Sequence, residues 1–382
     1  MKTEWVHKKL GECCNSELGK TLDEGRNTGS YRPYLCALNV LWGKIDLSTI
    51  KQMRIEEDER ERYLVKKGDL LVCEGGEIGR CAMWESDDEI YYQNALHRVR
   101  FYKEYDARFF MYLLCHYNDL KLIEQFGKGL TIKHLNQAAF RNIPVCVPDF
   151  PAQRRIAAIL SSADKVIAAT QKVIAKYKQM KQGMMEDLLK PKEGWKMVRL
   201  GEIIVDSYAG GTPNRGRGDY FGGDIPWVSS GEVNNPEINS TFENITIEGL
   251  NNSSAKWIPE NSILVALYGA TAGQVSMLRI RATSNQAVLA IIPNDEVADT
   301  MFLYYQIVYN KENLLFLAQG SGQPNLSKNL VDKLEISIPD LTEQQRIASI
   351  LSGIDAKIAA EEKVLGKYGK IKKGLMEKLL NE

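Results

Sequence analysis

The residues of this chain that could carry covalent chemistry occur only in incomplete sets. Gly19-Lys20-Thr21 is the ending of a phosphate-cradling loop, but Cys14 stands where that loop needs its first glycine. Pro148-Asp149 and Pro339-Asp340 look like the head of a nuclease motif, yet no acid-x-Lys follows either on a strand, and both open helical segments. Seven cysteines and four histidines (His7, His97, His116, His134) do not meet at metal-ligand spacings, and no C-x-x-C occurs, so no metal site is expected. The odd thiol count, with Cys13 and Cys14 adjacent, fits free thiols in a cytoplasmic protein. No G-x-G-x-x-G opens a βαβ unit, and G-x-S-x-G and Asn-Pro-Pro-aromatic runs are absent. What remains is hydrogen-bonding chemistry. It centres on two amide pairs, Gln93-Asn94-Ala95 and Asn285-Gln286-Ala287, and on two glycine-rich polar turns, Gly127–Lys133 and Gly320–Leu326. Such amides serve either to cap a buried strand end or to contact a ligand.

The elements that must position these groups occur twice. Shifted by 191 residues, Gln153–Leu189 lies over Gln344–Leu380 with 21 of 37 positions identical and no gap. A repeat this long is a domain plus an appended element, and two copies predict a pseudo-two-fold arrangement. The appended element reads as a long helix. Ile156, Leu160, Ile167, Ile174 and Tyr177 form an apolar seam in the first copy, and Ile347, Leu351, Ile354, Ile358, Leu365 and Tyr368 in the second. Lys181 interrupts the first seam and Glu361 the second, where it would help to set register. About 36 residues make a rod of roughly 54 Å. Asp149 is the candidate cap of the first helix, and Thr342, with Gln345 three residues on, of the second. Each seam finds its cheapest partner in the other helix, which predicts an antiparallel coiled coil.

Upstream of each helix, a shared skeleton carries different loops. Trp5…Leu10-Gly11-Glu12 answers to Trp195…Leu200-Gly201-Glu202, and the buried-strand pattern Gly68–Val72 to Asn261–Val265. Glycine turns follow at Gly75–Gly79 and Gly269–Gly273, and short aromatic helices at Phe109–Tyr112 and Met301–Tyr304. Trp42, Trp84, Trp227 and Trp257 read as core. The fold class is therefore mixed α/β: two similar domains with twisted β-sheets, separated by two long antiparallel coiled-coil helices. The expected boundaries are 1–150, a first helix at 151–191, a second domain at 192–340 and a second helix at 341–382.

Bulk properties fit that reading. Apolar residues are 44% and charged ones 26%, as in ordinary globular proteins, and no apolar run is long enough for a bilayer. The start of the chain does not read as a signal peptide. Net charge is zero but unevenly placed: residues 152–190 hold eight Lys/Arg against three acids, and residues 191–340 hold eleven against seventeen.

The twice-used pattern of proline-ended strand, Gln-x-Arg-Ile-Ala helix start, aspartate and Lys-Tyr-bearing helix resembles the specificity subunits of type I restriction–modification systems, over the whole chain. Gly210-Gly211-Thr212-Pro213, Tyr220–Trp227 and Gly322-Gln323-Pro324-Asn325-Leu326 carry the likeness in the second domain. The first domain departs from it, with Arg32-Pro33-Tyr34 and no Gly-Gly-Thr-Pro. The resemblance implies a non-catalytic reader of double-stranded DNA. Each globular domain is a target-recognition domain for one half of a bipartite, asymmetric site. The helices set the spacer and dock two methylation subunits, and restriction subunits join the full complex. S-adenosylmethionine, ATP and Mg belong to those partners, and the chain itself binds no cofactor and no membrane. Base edges are read best by Arg, Lys, Asn and Gln, less selectively by Ser and Thr. The candidates in the first domain are Arg26, Arg32, Arg80, Gln93, Asn94, Arg98, Lys128 and Lys133, with Tyr31, Tyr91 and Tyr92 on sugar and phosphate. In the second they are Thr212, Asn214, Arg215, Arg217, Ser229, Ser230, Tyr268, Asn285, Gln286, Gln323, Asn325 and Lys328. A protein-assembly scaffold that does not touch DNA, a self-sufficient DNA-modifying protein, and a specificity subunit of a fused restriction–methylation system are the competing readings.

Overall fold

The computed structural model describes residues 4–381 apart from 24, 128, 130–132 and 319–324. It divides into two compact units, Met1–Gln171 with Lys363–Glu382, and Lys172–Glu362. Each unit thus combines a globular domain with part of both long helices, Phe150–Leu189 and Leu341–Leu379.

In the first unit, strand Val6–Lys9 pairs antiparallel with Pro144–Val147, so the domain is entered and left through one two-stranded ribbon. An antiparallel sheet has the order Cys14–Leu18, Leu96–Phe101, Leu70–Cys73, Cys81–Met83. A second sheet has the order Lys51–Ile55, Ser30–Leu35, Ile90–Tyr92, Leu64–Val65, and its middle pair is parallel. Strand Leu70–Cys73 is buried on both faces. Leu70 and Val72 join the core under helix Ala107–Asp119, while Leu71 and Cys73 face the second sheet, as the two-residue period of a strand requires.

The second unit repeats the plan. Lys196–Arg199 pairs with Glu335–Ile338. A five-stranded sheet has the order Ile204–Ala209, Val288–Pro293, Ile263–Ala266, Val275–Leu278, Glu237–Ile238, and a three-stranded sheet the order Glu243–Ile245, Phe221–Val228, Thr283–Ser284. The parallel pair recurs between Phe221–Val228 and Thr283–Ser284. Ile263 and Val265 face one core and Leu264 and Ala266 the other.

The long helices begin where prolines end the last strands. Asp149 accepts from Ala152 N at 2.8 Å, and Asp340 from Glu343 N at 2.9 Å. The second cap is therefore Asp340 and not Thr342: the helix starts at Leu341, which leaves Thr342 inside the first turn. One buried glutamine per copy ties the long helix to the aromatic helix. Gln153 Oε1 accepts from Asp106 N and its Nε2 donates to Pro148 O, both at 2.9 Å. Gln344 does the same with Asp299 N (2.9 Å) and Pro339 O (3.0 Å). Gln344→Ala leaves a buried donor and acceptor unpaired, and each such group costs about 1–3 kcal/mol. We expect a loss of about 2–4 kcal/mol in urea unfolding of the second unit; a loss below about 1 kcal/mol contradicts this role.

In both units the helix segments run antiparallel. In the first, Ile156 and Leu160 share a core with Met376 and Leu380, and Lys372 Nζ meets Asp164 at 2.5 Å. In the second, Ile347 and Leu351 pack with Met185 and Leu189, and Lys181 Nζ meets both oxygens of Asp355 at 2.6 and 2.8 Å. Ile156, Leu160, Ile174, Ile347, Leu351, Ile354 and Ile358 are buried, and Ile167, Tyr177, Leu365 and Tyr368 half-buried. The first turns of the seams pack on their own domains as well as on the other helix. Lys181, an interruption of the seam by sequence, is one of a matched pair with Lys372, and Ile371 is turned outward instead. Each lysine completes a clamp. Tyr112 donates to Asp164 (2.6 Å) beneath Lys372, and Tyr305 to Asp355 (2.7 Å) beneath Lys181. Burial, and then the neighbouring aspartate, pushes the Tyr112 hydroxyl well above its ordinary pKa. These lysine–aspartate pairs, together with Lys178–Glu362 at 2.8 Å, carry the register-setting charge.

Among the described residues no helix is long and apolar enough to cross a membrane, and no cluster of His, Cys, Asp or Glu could hold a metal ion. Cys13, Cys14, Cys36, Cys73, Cys81 and Cys115 are free thiols.

Candidate nucleic-acid interface

Backbone hydrogen bonds gather the polar turns of the second unit into one cluster. Gly210 N donates to Val288 O (3.2 Å) and Gly211 N to Ser284 O (2.8 Å). A Cβ on Gly210 would sit 2.1 Å from Ser284 O, so only glycine permits this approach. Asn285 N donates to Val228 O (2.9 Å), Leu267 N to Ala287 O (2.8 Å) and Leu326 N to Leu267 O (2.8 Å). Thr212, Ser229, Tyr268, Asn285, Gln286 and Asn325 are thereby brought to one region. Trp227 underlies it: its Nε1 donates to Gly211 O at 3.0 Å, and its ring is edge-on to Phe221.

The first unit builds the same scaffold from different residues. Gly19 N donates to Leu96 O (3.2 Å), Lys20 N to Tyr92 O (3.0 Å), Gln93 N to Leu35 O (3.0 Å), Glu74 N to Ala95 O (2.9 Å) and Leu135 N to Glu74 O (2.7 Å). Gly19-Lys20-Thr21 therefore stands where Gly210-Gly211-Thr212 stands, and Gln93-Asn94 where Asn285-Gln286 stands. The supposed remnant of a phosphate loop is the counterpart that the first domain seemed to lack. The 191-residue offset relates Gly19 to Gly210 directly, so the signal was present. Lys20 is buried and paired with Glu59, an anchor that has no equivalent at Gly211.

The candidate side chains fall into three groups. Exposed or half-exposed in the first unit are Arg26 (beside Asp23), Tyr31 (under Arg54), Arg32, Gln93, Asn94 and Lys133, whose Nζ donates to Glu124 O. Among the described residues the side-chain amides of Gln93 and Asn94 have no hydrogen-bond partner, although their backbone N–H groups are bonded to Leu35 O and Lys20 O. In the second unit this group comprises Thr212, Asn214, Arg215, Arg217, Ser229, Ser230, Tyr268, Asn285, Gln286, Asn325 and Lys328. Several of these are already engaged. Thr212 donates to Gln286, Asn214 Oδ1 accepts from Gly216 N (2.9 Å), Asn285 Oδ1 caps its turn through Ala287 N (3.0 Å), and Lys328 holds Asp332 and Ser207. Ser229 binds Glu232, which also accepts from Phe242 N. Arg217 pairs with Asp219, whose carboxyl this contact holds below its ordinary pKa.

The second group belongs to the framework. Tyr91 and Tyr92 are fully buried and Arg98 is 4% exposed. Arg98 binds the carbonyls of Arg62 and Leu64 and the carboxylate of Glu17. Burial pushes the Tyr92 hydroxyl far above its usual range. Arg80 spans to Ala37 O at 2.7 Å. We assign Tyr91, Tyr92 and Arg98 to the core and not to a DNA-facing surface, because strand Ile90–Tyr92, which carries the tyrosines, and strand Leu96–Phe101, which carries Arg98, are each enclosed between two neighbouring strands. The third group, Lys128 and Gln323, lies outside the described residues.

His97 sits under the first cluster. Its Nε2 is 2.6 Å from Leu135 O, so Nε2 carries the proton, and the ring stacks on Phe140. Burial lowers its pKa from 6.5. A depressed histidine contributes stability that is complete above about pH 6.5 and is lost as pH falls toward the folded value. The wild-type chain should therefore lose stability below about pH 6.5 faster than His97→Gln, measured as unfolding midpoint against pH; parallel profiles contradict this.

Comparison with known proteins agrees with this geometry. A chain 24% identical over 361 residues is the putative type I restriction enzyme MjaX specificity subunit of Methanocaldococcus jannaschii; the match covers 88% of this chain and 83% of that one. The EcoR124I/EcoR124II specificity subunit of Escherichia coli is 31% identical over 232 residues, 56% of each chain. The type I S subunit structure from M. genitalium has the same fold, at TM-score 0.66 and 16% identity, covering 100% of this chain and 97% of that one. The model of the type I restriction modification DNA specificity domain matches residues 2–179 and again 192–367, the two repeats seen in the scaffold. With one copy in each half, the chain belongs to the type I restriction–modification specificity family.

Proposed function

We propose that each domain reads one half of a split, asymmetric double-stranded DNA site, and that the paired long helices set the distance between the halves and present docking faces to two methylation subunits. The chain carries no catalytic group of its own. Methyl donor, ATP and Mg are bound by the methylation and restriction partners. The observation that carries this reading is the doubled loop scaffold: the same backbone hydrogen bonds display Thr21, Gln93 and Asn94 in one unit and Thr212, Asn285 and Gln286 in the other. Conserved framing with exchanged hydrogen-bonding groups is what two readers of different base sequences require. With as many acids as bases in the chain, DNA affinity comes from local patches and from the partner subunits.

The test is co-expression with the neighbouring methylation subunit and genome-wide mapping of methyl-adenine. The expected outcome is one motif with two unlike halves and a fixed gap. A continuous palindrome, or no methylation with a competent partner, contradicts the reading.

A further inference from the structure

Arg215 is the most elaborately held of the exposed arginines. Its Nη1 and Nη2 donate to the two carboxylate oxygens of Glu243 at 2.7 and 2.9 Å. Its guanidinium lies 4.5 Å over the Phe221 ring and 5.0 Å over the Trp227 ring. Glu243 is the direct strand partner of Trp227, so the platform and the carboxylate are built by one pair of strands. Neither side chain is sequestered: Arg215 is 56% and Glu243 37% exposed. A planar fork facing two oxygens is the geometry with which arginine meets guanine O6 and N7, and equally a phosphate. In the free chain the carboxylate already occupies that place. The surrounding residues 191–340 hold eleven Lys/Arg against seventeen acids, so no excess of positive charge draws this surface onto the DNA backbone indiscriminately.

We propose that Glu243 is a specificity-determining residue of the second domain. It keeps the Arg215 fork off phosphates while the protein is bound non-specifically, and yields it only when a base edge in register offers two acceptors together with the contacts of the neighbouring turns. This inference rests on the second domain reading its half-site as proposed above, with Arg215, a candidate contact by sequence, facing DNA. Its chemistry is an exchange of hydrogen-bond partners. In the non-specific mode the Arg215–Glu243 pair stays closed and neutral and neutralises no phosphate. In the specific mode the fork turns to the base, and the exposed carboxylate is rehydrated. An exposed pair of this kind is weak enough to be exchanged.

The experiment uses the full chain bound to its methylation subunits, with a fluorescent duplex containing the mapped site and a second duplex lacking it. Glu243→Gln keeps the shape and one acceptor while removing the charge. Its affinity for the site-free duplex should rise about two- to fivefold, the factor that corresponds to release of an exposed ion pair. The slope of log K against log salt on that duplex should steepen by about 0.9, the signature of one additional phosphate neutralised. Methylation should spread to sites altered in the second half only. Weaker binding to both duplexes, or loss of the second half-site, would show that Glu243 holds Arg215 in its reading posture, which overturns the proposal. Unchanged site-free affinity and slope overturn it as well. Arg215→Ala separates the premise from the inference. If the second half-site is unchanged in that variant, Arg215 does not face DNA and the premise falls, whatever Glu243→Gln does. If it is relaxed while Glu243→Gln has no effect, only the role of Glu243 falls.

Discussion

Four residues added to both long helices, after Gln171 and after Glu362, should move the two DNA half-sites about two base pairs further apart and leave each half unchanged. Helical residues rise 1.5 Å each, so the insertion lengthens each rod by about 6 Å, against about 3.4 Å per base pair. The positions follow from the division of the chain: each insertion falls between the two units, so Lys181–Asp355, Lys372–Asp164 and both domain cores keep their internal contacts. Lengthening only the first helix, after Ile174, is a different experiment. It displaces Lys181 from Asp355 by just over a turn and moves Met185 and Leu189 out of the second core. The double insertion should give a fully folded chain with a longer gap in its methylation motif. The single insertion should give loss of stability and of methylation. An unchanged gap in the double insertion rejects the helices as rulers.

Trp227→Ala should cost about 3–5 kcal/mol in the second unit, the usual range for truncating a buried large aromatic. Trp227 is 2% exposed, supports Gly211 through its indole N–H and lies under Arg215. The substitution therefore removes core volume, the anchor of the Gly210–Thr212 turn and half of the arginine's platform together. Recognition of the second half-site should fall with it, while the first half-site is still read at temperatures where the chain remains folded. Trp227→Phe restores most of the volume but leaves Gly211 O without its donor, and should fall between the two. Unfolding midpoints and per-half methylation motifs measure both effects. A folded Trp227→Ala chain that reads an intact second half-site contradicts the link between this platform and the turns.

Long-range regularities were legible from the sequence and short-range geometry was not. The 191-residue offset, the seams running from Ile156 to Tyr177 and from Ile347 to Tyr368, and the doubly buried strands at Leu70 and Ile263 announce themselves through period and composition, which act over many residues. The assignment of Tyr91, Tyr92 and Arg98 to a surface failed for a local reason. Each of these side chains can serve a core or an interface equally well; the strand of the two tyrosines, Ile90–Tyr92, is too short to show an inside and an outside, and Arg98 is held inside by the distant groups of Arg62, Leu64 and Glu17. Gly19-Lys20-Thr21 was misleading because its residue types fit a more familiar loop. Only the hydrogen bonds from Gly19 to Leu96 and from Lys20 to Tyr92 show whose counterpart it is. The partner of Arg215 was unreadable as well: Glu243 lies 28 residues away, and only the pairing of Trp227 with Glu243 brings them together.

The same ribbons that open and close each domain make the most direct test possible. Val6–Lys9 with Pro144–Val147 and Lys196–Arg199 with Glu335–Ile338 put the two ends of each domain side by side, so one domain can replace the other as a cassette. A chain carrying residues 196–338 in place of residues 6–147, co-expressed with the methylation subunit, should methylate a site whose two halves are both the original second half, with the first half-site gone from the motif. Methylation of the original asymmetric site by that folded chain would contradict independent reading by the two domains.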